Sequence, residues 1–305
     1  MTQVVGTEGA REQSRARYPD AEGYVERDGV RVFYEVYGEG DRTIVLLPTW
    51  SIVHSRLWKA QIPYFARRHR VLAFDPRGNG RSDRPIAGDA YAEAAFAGDA
   101  AAVLDATGTD RVVVVGLSLG AQRGLLLAAE QPDRMLGLVL LGPAVPLAPM
   151  PPERADAFAR FGQERSDDGA WHEYNAHFWR RDFRGFLDFF FSQAFTEPHS
   201  TKQIEDCVGW GLESGVDCLL ASEDGEGLRD ATHASAAGLA CRVLVIHGAD
   251  DAIEPHSAGA ELARITGGSL ATIEGGGHCP QARDPVLVNL LIRAFVDSLD
   301  GESAA

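Results

Sequence analysis

The chain has 305 residues, 45% of them hydrophobic and 24% charged, enough to build a sizeable core in one large domain or two average ones. Its 29 Lys and Arg stand against 44 Asp and Glu, and the formal net charge of −15 argues against nucleic acid or an anionic membrane as partner. No stretch approaches the roughly eighteen apolar residues of a membrane span, and the opening segment has no apolar run, so neither a span nor a signal peptide is expected.

Residues 1–22 read as a polar lead. From Gly23 to Gly38, apolar and polar residues alternate on either side of Asp28-Gly29, the dipeptide of a tight hairpin. Thr43-Ile-Val-Leu-Leu47 is a short, wholly apolar strand. A helix is expected over Leu57 to Arg67, a strand over Arg70 to Asp75, and an Ala-rich helix over Tyr91 to Ala106. Between the last two, Asp75 to Pro85 is a loop punctuated by Gly and Pro. Its Arg77-Gly-Asn-Gly-Arg run does not have the spacing of a phosphate-binding loop. Arg111-Val-Val-Val-Val-Gly116 reads as a strand buried on both faces, Ala121 to Glu130 as an amphipathic helix, and Met135 to Leu141 as one more apolar strand. Strands alternating with helices make an α/β protein whose mostly parallel sheet carries an antiparallel hairpin at one edge.

The alternation stops at Gly142-Pro143. Over 143–239 no buried strand is visible. Five prolines are followed by a run rich in aromatics, Phe158, Phe161, Trp171, Tyr174 and Phe186 to Phe191 among them. This segment is expected to be a helical insertion across one end of the sheet, its aromatics forming a small core and in part roofing a ligand crevice. Its acidic residues Glu197, Glu205, Asp206 and Glu213 read as a solvated face. The pattern resumes with a strand at Cys241 to Ile246, a helix at Ser257 to Ile265, a strand at Ser269 to Ile273 and a closing helix from Asp284 to Leu299. The core is therefore expected in two pieces, 23–142 and 240–300.

Gly116-Leu-Ser-Leu-Gly120 carries the chemistry. A buried strand and a helix are joined with almost no loop, so the chain must turn sharply at Ser118, and the two glycines sit where backbones crowd. That geometry exposes the hydroxyl above a helix N-terminus and offers the amide of Leu119 to a developing negative charge. A serine needs a base, and the base an orienting carboxylate. His278, in a glycine-rich turn after the last strand, is the expected base; His233, His247 and His256 are weaker rivals. Either Asp250 or Asp251, after the Cys241 to Ile246 strand, is the acid. Cys207, Cys218, Cys241 and Cys279 fit neither a zinc pattern nor a disulfide framework and read as free thiols in a reducing cytoplasm. No cluster has metal-ligand spacing, so no metal and no cofactor is expected.

Taken together, Gly116 to Gly120, Asp75-Pro-Arg-Gly-Asn-Gly-Arg-Ser82, His247-Gly-Ala-Asp-Asp251 with Pro255, and Gly276-Gly-His278 resemble the α/β-hydrolase fold superfamily. The likeness is to its cap-bearing group of serine esterases, lactonases, carbon–carbon bond hydrolases and cofactor-free haloperoxidases. The resemblance implies about eight strands with a helical cap, a Ser118–His278–Asp251 triad, and a structural role for the Asp75 loop. It also implies a second oxyanion donor after the Thr43 to Leu47 strand, where the family usually has His-Gly. Here that place reads Pro48-Thr-Trp50-Ser51, so the matching donor is the amide of Trp50. Ser51, His54 and Arg56 in the same loop are candidate substrate contacts. The expected function is a cytoplasmic serine hydrolase cleaving an ester, thioester or lactone-like bond of an apolar small molecule. A ligand-binding sensor and an acyl-transfer enzyme are the alternatives on the same fold, and a homodimer is compatible with the sequence.

Overall fold

A computed structural model describes residues 15–166, 169–223 and 235–299. Eight strands form one sheet: β1 (Ala21–Arg27), β2 (Val30–Tyr37), β3 (Thr43–Leu47), β4 (Arg70–Phe74), β5 (Val112–Leu117), β6 (Met135–Leu141), β7 (Arg242–Gly248) and β8 (Ser269–Ile273). Their order is β1-β2-β4-β3-β5-β6-β7-β8. β1 and β2 are antiparallel, β2 meets β4 antiparallel, and every other pairing is parallel. The hairpin turns at Asp28 (φ 54°) and Gly29 (φ 76°), two left-handed residues in succession, which matches the twist of the strands they join.

The side-chain period of two sorts the sheet residues cleanly onto its faces. Val45, Leu47, Val112, Val114, Leu138 and Val245 pack with Leu104, Leu125 and Leu262 from helices on one side. Ile44, Leu46, Val113, Val115, Leu141 and Ile246 face the other, with Phe295 of the closing helix. That second cluster is continuous with Trp179, Phe186, Phe191 and Trp210. These come from the helices Ala176–Arg181, Phe183–Ala194 and Thr201–Ser214, which together with Pro152–Ala159 and Val216–Glu223 lie between β6 and β7. The inserted aromatics thus share the core of the sheet rather than forming one of their own.

Two helices differ from expectation. Leu57 to Arg67 is not one helix but a 3₁₀ turn, Ser55–Trp58, and a separate single turn, Ile62–Phe65. Pro63, with no N–H and a fixed φ, suits the first turn of a helix, and a new helix begins there. Tyr91 belongs to a 3₁₀ turn and the helix starts at Glu93. The described end of the lead is anchored: Arg15 bonds the buried Glu35 at 2.9 Å. No helix among the described residues is long and apolar enough to cross a membrane.

Candidate active site

β3, β5, β6, β7 and β8 all end on the same edge of the sheet, and the site is assembled from the segments that leave those strand ends. Ser118 comes directly after β5 and takes φ 56°, ψ −120°, a left-handed backbone unusual for a residue with a Cβ, before the helix Leu119–Glu130 begins. The turn is held by Ser118 N donating to Leu141 O at 2.9 Å and by Ala144 N donating to Ser118 O at 3.2 Å. The hydroxyl makes no capping bond to its own helix. Both flanking glycines are required by close approach. A Cβ on Gly116 would stand 2.8 Å from Ala121 N, and one on Gly120 would stand 2.7 Å from Pro48 O. The second contact presses the loop after β3 against the elbow.

His278 is buried and lies in the loop after β8, its amide donating to Ala194 O in the inserted helices. Its Nδ1 meets Asp251 Oδ2 at 2.8 Å. The carboxylate in contact is Asp251; its neighbour Asp250 is exposed. The other Asp251 oxygen, Oδ1, accepts from the amides of Ile253 (2.8 Å) and Glu254 (2.9 Å). Oδ2 accepts a second imidazole, His247 Nε2, at 3.0 Å. Burial alone would push this carboxyl up; the two imidazoles outweigh it and hold it well below the usual carboxylate range. His247 also reaches Glu254 O with Nε2 (3.1 Å), so that nitrogen carries the proton, and its buried Nδ1 has no partner among the described residues. His256 instead bonds Thr272 Oγ1, and His233 lies outside the described residues.

Ser118, Leu119 and His278 open onto one cavity of about 470 Å³. Its walls include Trp50, Phe158, Trp171, Tyr174 and Phe190. Cys207 and Cys279 also line it, but burial raises both thiols far above their ordinary range, which keeps them protonated and poor nucleophiles. Among the described residues no His, Cys, Asp and Glu group could hold a metal ion, and all four cysteines are free thiols.

The loop after β3 corrects three expectations. Ser51, His54 and Arg56 do not line the cavity. Ser51 is wholly buried and spends its hydroxyl on Arg77 O at 3.0 Å. His54 is buried too, capping the Ser55–Trp58 turn through Nδ1 and lying against Trp210. Arg56 turns to the far side, beside Arg15 and Tyr37. Two acidic residues of the insertion also depart from a solvated face. Glu197 accepts from Gly277 N at 2.7 Å, next to His278, and Asp206 pairs with Lys59 and Lys202.

Trp50 does reach the cavity. Its ring meets Tyr174 and Phe190 at centroid distances of 6.2 and 5.3 Å, and its Nε1 donates to Ser222 Oγ at 3.3 Å. The preceding backbone is gripped from beneath by the buried Arg123, which bonds Thr49 O and pairs with Glu93 through Nε (2.7 Å) and Nη2 (3.0 Å). Neither Arg123 nor Glu93 was marked by the sequence, and His247 was marked only as a rival base, not as a second imidazole on Asp251. Only the last left a signal, a histidine four residues before a candidate acid.

A family model described as "alpha/beta hydrolase fold" matches residues 42–285. A Variovorax paradoxus protein named "Putative carbamate hydrolase RutD" is 44% identical over 110 residues, which is 35% of this chain and 41% of that protein's length. The solved structure of Est816, titled "as an N-Acyl homoserine lactone degrading enzyme", is 26% identical with a TM-score of 0.72, covering 90% of this chain and 100% of that one. Esterase RhEst1 from Rhodococcus sp. ECU1013 is 25% identical with a TM-score of 0.73, covering 90% and 98%.

Proposed function

This chain belongs to the α/β-hydrolase fold family, and from that membership we propose that it is a serine hydrolase of ester, thioester or lactone-like bonds. The observation that carries the reading is the hydrogen bond from His278 Nδ1 to Asp251 Oδ2, with His278 and Ser118 lining one cavity. A carboxylate acceptor at Nδ1 fixes the proton there and leaves the lone pair on Nε2, the tautomer a general base needs.

In this reading Ser118 Oγ attacks the substrate carbonyl as His278 Nε2 takes its proton. Asp251 steadies the imidazolium that results. The negative oxygen of the tetrahedral intermediate is met by the amides of Leu119 and Trp50, each worth about 3 kcal/mol if well aimed. Collapse expels the alcohol or thiol with the proton from His278, leaving an acyl-serine. Water, deprotonated by the same nitrogen, then releases the acid. Water is the only co-substrate, so the reaction balances without a cofactor. The aromatic wall favours a small molecule with an apolar portion. The relatives point to the same class of chemistry, since carbamates, lactones and carboxylic esters are all opened at a carbonyl carbon.

The test is turnover of short p-nitrophenyl esters and labelling by a fluorophosphonate. Wild type is expected to do both and Ser118→Ala neither. Labelling that persists in Ser118→Ala overturns the assignment.

A further inference from the structure

Buried arginine–carboxylate pairs are built in two ways in this protein. Arg77 grips Asp99 with two short bonds, 2.8 and 2.6 Å, and Arg123 grips Glu93 likewise. These are forks engaged with both carboxylate oxygens, the geometry of a pair that serves the fold. Arg154, from the inserted helix Pro152–Ala159, makes a single contact with Glu254 Oε1, through Nη2 at 3.3 Å. Its side chain is only 6% exposed, yet Nε and Nη1 have no hydrogen-bond partner among the described residues. The guanidinium lies 5.7 Å from the Phe158 ring centre and 5.2 Å from that of Trp171, rings that offer it a face but no acceptor. Glu254 takes this bond on Oε1, and a carboxylate has room to accept further bonds. Arg154, Glu254, Phe158 and Trp171 all line the cavity that holds Ser118 and His278.

Buried donors without acceptors destabilise a protein, and they persist where a ligand supplies the missing partner. Charge decides which ligand. A carboxylate would satisfy Arg154 but stand beside the carboxylate of Glu254, and an ammonium would meet the reverse conflict. A neutral group with an acceptor next to a donor suits both members at once. We propose that Arg154 and Glu254 form an amide-reading subsite: Arg154 donates to the carbonyl oxygen of a substrate amide and Glu254 accepts its N–H. The amide is a recognition group apart from the bond cleaved. The subsite is rigidly tied to the reactive centre, because the backbone N–H of Glu254 is held by Asp251 Oδ1 and its carbonyl accepts His247 Nε2. This inference rests on the serine-hydrolase reading.

Three p-nitrophenyl esters of equal length test it: N-acetylglycinate, with both amide groups; 4-oxopentanoate, with the carbonyl alone; and pentanoate, with neither. The same replacements on the alcohol side of acetate esters cover the other half of the substrate, and p-nitrophenyl succinate supplies the anionic competitor. Each kcat/KM is divided by the ester's rate with hydroxide. In at least one series, wild type is expected to prefer the amide ester over the apolar ester by about tenfold or more, with the ketone between them. Arg154→Met should collapse the amide-to-apolar ratio, and Glu254→Met the amide-to-ketone ratio. Equal normalised rates within both series, or a preference for the succinate, overturn the subsite while leaving the hydrolase reading intact. No turnover of any ester overturns both. The wild-type series decides even if a variant fails to fold.

Discussion

His247 and Asp251 are joined side chain to side chain four residues apart, Nε2 to Oδ2 at 3.0 Å, on the oxygen that also receives His278. His247 is not part of the cavity wall, so its effect on the reaction passes through what it holds, the Asp251 carboxylate and the carbonyl of Glu254. It donates to the carboxylate's charge and fixes its plane. We expect His247→Ala to lower kcat on p-nitrophenyl esters by about tenfold with little change in KM, and to cost roughly 1.5–3 kcal/mol in urea unfolding, the range for a hydrogen bond to a charged group. His247→Gln keeps a donor and should restore most of kcat. An unchanged kcat in the alanine variant would assign His247 to packing alone.

The carboxyl of Asp251 is held below its ordinary range, which makes stability depend on pH in a definite sense. A carboxyl whose folded pKa lies below its unfolded value near 4 contributes fully above that value and loses the contribution as pH falls through the folded one. Asp251→Asn removes the charge. Wild type should exceed this variant in stability at neutral pH, and the gap should narrow below about pH 4. The variant's kcat should fall by about 10³–10⁴. A stability gap that stays constant from pH 7 to pH 3 would mean that the imidazoles do not favour the ionised form.

Arg123 connects the helix after the elbow to the loop after β3, and Glu93 completes the connection. Arg123→Met strands a buried carboxylate, an effect of about 3–5 kcal/mol on stability. It also frees Thr49 O, one residue before the proposed oxyanion donor Trp50. The loss in kcat should exceed the rise in KM. Adding Glu93→Gln should recover part of the stability but not the rate. If the double variant regains both, the grip on Thr49 has no part in catalysis.

A smaller change tests the same junction from the other side. Gly120→Ala would set a methyl 2.7 Å from Pro48 O, forcing elbow and loop apart. A destabilisation of about 1–3 kcal/mol is expected, as for other overpacked sites, with a loss of kcat larger than that of Gly124→Ala in the same helix. Equal kcat in the two variants would separate the Pro48–Trp50 loop from the chemistry.

What could be read ahead of the structure was local. Four valines in a row say that β5 is covered on both faces, and the glycines two residues either side of Ser118 say that the chain turns there against other backbone. His278 was found by position, after a strand and before a helix. What escaped depends on partners far away in the chain. Ser51 looked like a loop hydroxyl until its acceptor, Arg77 O, came beneath it, and His54 was buried by Trp210. Asp250 and Asp251 are chemically identical neighbours that the loop alone left open; the family resemblance favoured Asp251, and it is that carboxylate that meets His278. Arg154 and Glu254 lie 100 residues apart, and neither stands in a recognisable pattern. The break between Trp58 and Ile62 was signalled by Pro63, but the apolar spacing of the stretch masked it.

Trp50 has its backbone in the loop after β3 and its indole among Tyr174, Phe190 and Ser222 of the inserted segment. In the proposed mechanism one residue therefore serves both the reacting centre and the cavity wall. If the Trp50 amide is the oxyanion donor proposed above, a mutation that enlarges the pocket at those aromatics also loosens that donor, and selection for a bulkier substrate along that wall carries a handicap in turnover. Pro146, Ala148 and Met150 line the same cavity and are not among the aromatic rings packed on Trp50. A directed-evolution library aimed at new substrates is therefore better placed on those three positions than on the rings that pack against Trp50.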